Sequence, residues 1–230
     1  MSVHFLIPPR RLIGPLLLGV GSGALVTWSA GVSLGLFLAP LVFVVLLVPP
    51  MVSSPGTISE RLVTGLVVVL GLIIIPLGAS LASSRVDTAA VLVWCVVLLS
   101  LGAALVGCVA LLHRLHLPWV FASALSTALA LAWLTWPVWL APHVSDDATI
   151  ARLVVAHPLF ATNALFPHMG IWTEQATAYR LTNLNQDVAY ALPTSAWPSV
   201  VLHGLIAGGL LALSRVQGLR TSGARTVSAN

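Results

Sequence analysis

Three histidines, His143, His157 and His168, share one polar stretch of the chain with the thioether of Met169. Imidazole and thioether together could bind copper or zinc. Their spacings match no compact ligand motif, and no cysteine or carboxylate pair completes a site. His157 precedes Pro158 and His168 follows Pro167, positions that suit turns equally well. No metal or cofactor is therefore expected, and a metal- or haem-binding redox protein stands only as a minor alternative.

His203 is different, because it falls inside an apolar segment. Ionisable residues at membrane depth are functional candidates by default, although a neutral imidazole can also simply bond a neighbouring helix. Ser22, in Gly19-Val20-Gly21-Ser22-Gly23, could pair with His203 as in an intramembrane serine protease. Such proteases carry an amide-bearing motif before the serine, and here no Asn or Gln occurs before residue 157. The same glycines imitate a dinucleotide-binding turn, but no strand surrounds them. Close helix packing through Gly19 and Gly23, and through Gly31 and Gly35, accounts for them. The chain is not expected to be an enzyme.

Recognition chemistry collects at 142–197. Asn163, Gln175, Asn183, Asn185 and Gln186 lie there with both tyrosines, Tyr179 and Tyr190, and with Trp172, Glu174, Arg180 and Asp187. Amides, phenols and charges give directional contacts. Candidate recognition residues are therefore His157, Asn163, His168, Trp172, Glu174, Tyr179, Arg180, Asn185, Asp187 and Tyr190. Ser145-Asp146-Asp147 reads as a helix start leading to a short helix that ends at His157-Pro158, and Thr173-Glu174 as the start of another near 174–182. Apolar residues such as Val154, Phe160 and Phe166 are expected to rest on the membrane surface or dip into it. The segment is then a structural cap, a gate or a docking surface.

The rest of the chain must position these groups, and it is almost entirely apolar. Of 230 residues 58% are hydrophobic and 7% charged, with mean hydropathy +1.03. A soluble domain carries roughly 25% charged residues, so a bilayer is the solvent that fits. The net charge of +4 comes from ten basic residues, all arginine and scattered at segment edges; this excludes a nucleic-acid-binding face. Cys95 and Cys108 lie in one apolar helix, about 20 Å apart, beyond disulfide reach. The apolar stretch after Arg11 reads as an uncleaved first span rather than a signal peptide.

Between Arg11 and Glu60 there is no charge. As one helix those roughly 48 residues would extend about 72 Å, against a hydrocarbon core of about 30 Å. A turn at Ser29-Ala30-Gly31 is required. Six spans follow, near 12–29, 32–50, 62–83, 88–112, 118–141 and 198–214, with an extracytoplasmic loop at 142–197 and a basic tail at 215–230. Pro118 and Pro198 suit helix first turns. Arg10, Arg11, Arg61, Arg114, Arg215, Arg220 and Arg225 fall on one side and only Arg85, Arg152 and Arg180 on the other. Both termini are thus expected in the cytoplasm, with Trp28, Trp94, Trp136, Trp139 and Trp197 near the outer interface. The fold class is an all-α, polytopic membrane bundle with short interfacial helices between spans five and six.

Six spans, two inner termini and an outer segment of short helices resemble the permease subunits of six-span ATP-binding-cassette exporters. In that family the inner segment between spans two and three touches the ATPase. Here that segment runs from Pro49 to Arg61, and its Ile58-Ser59-Glu60-Arg61 is similar to the family's serine and glutamate-arginine stretch. The segment is shorter than a full coupling helix, and the first outer turn is tighter than usual. The resemblance implies ATPase coupling at Glu60 and Arg61, with the ATPase on a separate chain, since no Walker motif occurs. It implies a multi-pass transport subunit of a cell membrane, bacterial inner membrane by expectation, in a homo- or hetero-oligomeric complex. The alternative is a non-transporting scaffold whose outer loop docks a partner.

Overall fold

The computed structural model describes residues 10–29, 36–53, 57–83, 87–139, 146–167 and 192–227, and all of its regular structure there is helical. Among the described residues eight helices run in order: α1 Arg10–Ser29, α2 Leu36–Val52, α3 Ile58–Ser83, α4 Thr88–Arg114, α5 Trp119–Trp139, α6 Asp147–Ala156, α7 Pro158–Leu165 and α8 Trp197–Val227. Much of α2–α4 is Val, Ile and Leu. In water the β-branched residues would favour strands, but in an apolar solvent only a helix satisfies every backbone group within its own segment.

Helix ends fall where side chains can complete them. Thr57 and Glu60 form a reciprocal capping box at the start of α3: Thr57 N donates to Glu60 Oε2 at 2.8 Å and Glu60 N donates to Thr57 Oγ1 at 3.2 Å. Asp87 caps α4 by accepting from Ala89 N at 2.9 Å. Pro118 lies just before α5, its carbonyl accepting from Ala122 N, and Pro198 is the second residue of α8. At the end of α4, Leu117 N reaches back to Leu112 O while His116 N bonds His113 O. That is a Schellman closure, which needs a left-handed residue; His116 supplies it with φ of 69°.

Among the described residues four helices are long and apolar enough to cross a membrane, namely α3, α4, α5 and the Trp197–Val216 part of α8. A fifth crossing is available if α6 and α7, bent by 72° at their junction, count as one. The apolar runs of α1 and α2 are shorter, Arg11–Leu25 and Ala39–Val52. The six segments expected from hydropathy each correspond to a helix. Large apolar side chains cover the outside of this bundle, among them Leu17, Leu92, Phe121 and Leu205, a surface that lipid tolerates and water does not.

Helix α4 is the centre. It packs against α2, α3, α5, α7 and, most extensively, α8. Leu41, Val44, Val45 and Val48 of α2 meet Val68 and Leu72 of α3 and Val97, Leu98 and Leu101 of α4 in one buried cluster. Helix α1 lies along α3. There the glycines act as the sequence implied: a Cβ on Gly19 would stand 2.6 Å from Val68 O, and one on Gly71 would stand 2.9 Å from Leu16 O. Only hydrogen at those positions lets the two backbones touch. The expected turn residues Ala30 and Gly31, and the pair Gly31 and Gly35, lie outside the described residues.

The short helices α6 and α7 differ from the expectation in one respect. Val154, Phe160 and Phe166 do not spread on a membrane surface; they are buried, packed inward on the bundle through contacts of α6 and α7 with α2, α4 and α8. Trp94 and Trp136 are likewise enclosed by protein, whereas Trp197 is exposed. The helices are short, and their apolar faces find better-packed partners in the bundle than in headgroups.

Candidate functional site

Polar side chains are scarce in this bundle, and among the described residues four of the buried ones, His157, Thr162, Ser199 and His203, lie towards one end. Helix α6 starts at Asp146, whose carboxylate accepts from Ala148 N and Thr149 N and from the Thr149 hydroxyl. Those hydrogen bonds, the Thr149 hydroxyl foremost, hold the Asp146 carboxyl below its ordinary range. The helix stops at His157 because Pro158 disfavours a helical residue before it and opens α7 at its first position. The chain bends there, and the bend drives His157 into the protein, where it is fully buried.

His157 Nε2 lies 3.0 Å from the carbonyl of Trp133 on α5. A carbonyl only accepts, so Nε2 carries the proton and Nδ1 bears the lone pair. The Trp133 indole then reaches the other way: Nε1 donates to His203 Nε2 on α8 at 3.2 Å. An indole N–H only donates, so His203 is protonated on Nδ1, which donates to Ser199 O at 2.7 Å. The tautomers of both histidines follow from their partners, and both rings are neutral. Around them stand Trp136, edge-on to His157 with ring centroids 5.8 Å apart, and Phe160 at 5.2 Å. One tryptophan thus ties α5 to the α6–α7 corner through its backbone and to α8 through its ring.

Among the described residues, Trp136 Nε1 and His157 Nδ1 have no hydrogen-bond partner although both are buried. One is a donor and the other an acceptor, and neither is a nucleophile or an acid. Both nitrogens of His203 are engaged without Ser22, which removes the basis for a serine–histidine pair. No group of three His, Cys, Asp or Glu among the described residues could hold a metal ion.

A second polar cluster sits at the opposite end of α5. Arg61 lays its guanidinium 3.7 Å over the ring of Trp119. His113 stacks on the same indole with centroids 3.3 Å apart, and its Nδ1 lies 3.2 Å from Leu117 O. Glu60 closes the capping box described above, so both residues expected to couple to an ATPase are already built into the start of α3.

The sequence marked His157, His203, Glu60 and Arg61, and the structure gathers the first two into one site. Asn163 lies half-buried on α7. His143, His168, Met169, Trp172, Glu174, Tyr179, Arg180, Asn185, Asp187 and Tyr190 lie outside the described residues, as does the helix expected near 174–182. Sequence reasoning missed Trp133, the residue joining the two histidines. Its signal was available: a tryptophan well inside a span must find an acceptor for its N–H, and His203 was the candidate at hand. Trp119, between Arg61 and His113, carried no such signal. No family model, curated protein or solved structure matches the chain.

Proposed function

We propose that the protein is a permease-like integral-membrane subunit of an ATP-driven transport complex whose ATPase is a separate chain. The observation that carries this reading is the α6–α7 hairpin, broken by 72° at His157-Pro158 and seated among the ends of α5 and α8. Broken helices at membrane depth are tolerated where they are buried in protein or line a path. In this reading α1–α5 and α8 are six spans, both termini are cytoplasmic, the membrane is a cell membrane, and the hairpin caps or gates the outer end. The described spans contain no acidic residue beyond the Glu60 turn of α3, so the driving force must come from a partner rather than from ion coupling.

The test is purification of the full chain from its native membrane in mild detergent, with ATPase activity and bound subunits measured. A co-purifying ATPase is expected. Glu60→Gln preserves an oxygen for the Thr57 N–H while removing the charge, so it separates coupling from capping. Absence of any ATPase partner, together with unchanged transport in Glu60→Gln, would end this reading.

A second reading, a non-transporting scaffold, is favoured by the local engagement of Glu60 with Thr57 and of Arg61 with Trp119. In it the segment 142–197 docks a partner protein. Deleting part of 173–190 then abolishes partner binding without altering transport.

A further inference from the structure

The cluster on Trp119 is an unusual concentration of positive charge for this chain. Arg61 and His113 both lie against the indole, and Arg114 and His116 follow His113 at the end of α4. Glu60 is the carboxylate beside them, and one of its oxygens is taken by the Thr57 N–H. Two guanidiniums therefore outweigh one carboxylate, with two imidazoles adjoining. Arg114 and His116 are exposed. His116 also occupies the left-handed position where glycine would sit without strain.

Above this corner runs an apolar cleft between α3 and α4, of about 330 Å³, lined by Leu62, Leu66 and Val69 on one side and Leu99, Ala103 and Val106 on the other. Gly65 and Gly102 draw the two helices together there, since a Cβ on either would crowd Val106 or Val69 at under 3 Å. Leu66 is 44% exposed, so the cleft opens on the outer surface of the bundle. From Leu62 to Val69 it extends about 10 Å along the helix axis. Arg61 lies one turn below Gly65 on α3, and His113 lies two turns below Val106 on α4. Both walls of the cleft therefore run down into the basic corner.

A cationic end joined to an apolar trough has the polarity of one molecule. We propose that this corner and cleft bind an anionic phospholipid, with its phosphate at the exposed Arg114 and His116, beside the buried Arg61 and the half-buried His113, and the start of an acyl chain between α3 and α4. A free phosphate shares the headgroup chemistry but has no use for the trough, and a zwitterionic lipid brings a cation to a site already positive. The arginine count places this end on the cytoplasmic side, where anionic lipids attract juxtamembrane basic residues.

The experiment is native mass spectrometry of the full chain in detergent, titrated with phosphatidylglycerol and with phosphatidylcholine of the same acyl chains. Each basic residue near an anionic headgroup is worth about fivefold in binding, so a preference for phosphatidylglycerol of at least that size is expected. Arg114→Gln, at an exposed position, should remove about fivefold of it while leaving phosphatidylcholine binding unchanged. Ala103→Trp, which fills the cleft, should weaken both lipids. Thermal unfolding confirms that each variant is folded, and Arg114→Met replaces Arg114→Gln if that variant is not. Equal binding of the two lipids, retention of the preference in the charge variant, or insensitivity to Ala103→Trp overturns the proposal. Displacement of phosphatidylglycerol by millimolar inorganic phosphate also overturns it, reassigning the corner to a soluble phosphate.

Discussion

Replacing Trp133 by Phe keeps an aromatic ring beside His157 and His203 but deletes the Nε1–H that His203 Nε2 accepts at 3.2 Å. His203 is 3% exposed, so its lone pair is left without water. An unsatisfied buried acceptor costs about 1–3 kcal/mol. His203→Leu strands the indole donor instead, at a similar cost. The double variant removes both partners and should cost less than the sum of the singles. Hydrogen bonds between membrane helices couple by about 0.6 kcal/mol on average and about 1.7 at most. This one is buried at the His203 end and fixes a tautomer, so the coupling expected lies in the upper half of that range. The assay is reversible unfolding of the four proteins in mixed micelles by denaturing detergent, followed by far-UV circular dichroism. A coupling below about 0.3 kcal/mol, the scatter of independent sites, would refute the claim that Trp133 ties α5 to α8.

Gly71→Leu should push α1 off α3, since its Cβ alone meets Leu16 O at 2.9 Å and Gly19 Cα at 3.1 Å; overpacking of this kind costs about 1–3 kcal/mol. Gly21→Leu is the control, with nothing within 4 Å of its Cβ, and crosslinking between cysteines placed on α1 and α3 should fall in the first variant only. His116→Gly relieves a left-handed side chain and should stabilise the fold by about 1 kcal/mol, raising the thermal midpoint by about 2–4 °C for a chain of this length. The Asp146 carboxyl is held low by the Thr149 hydroxyl and the Ala148 amide, so its support of α6 is fully present above the ordinary aspartate range and fades as pH falls through the depressed value. Limited proteolysis between pH 6 and 3 should show α6 opening in the native protein, while Asp146→Asn, which keeps an accepting oxygen, flattens the pH dependence.

The helices were legible because each charge-free run is long and bounded by Arg, Asp or Glu, and because a bilayer leaves the backbone no alternative to helix. Asp146 announced its helix start through a side chain that caps locally, and Pro158 announced the break. Gly19 and Gly71 differ in this respect. The spacing of Gly19 and Gly23 flagged close packing, but nothing local to Gly71 says that it is the partner, since that depends on which helices pair. The same reason hid Trp119, and hid which partner Trp133 would find. Each acts by joining residues distant in sequence, His203 in one case and Arg61 in the other, and single-chain patterns do not encode that distance. Val154 and Phe160 were legible as apolar but not as inward-facing, because a short amphipathic helix meets a membrane surface and a protein groove with the same face.

The seat of the α6–α7 corner has a consequence for how the protein comes into being. Half of that seat, the Trp133 carbonyl, is made before the corner itself, and the other half, on α8, is made after it. During synthesis the corner must therefore wait. It acquires its final place only when α8 threads back beside α4 and brings His203 to the indole. Completing that seat is the last act of assembly, and chains halted before residue 203 should carry the corner open.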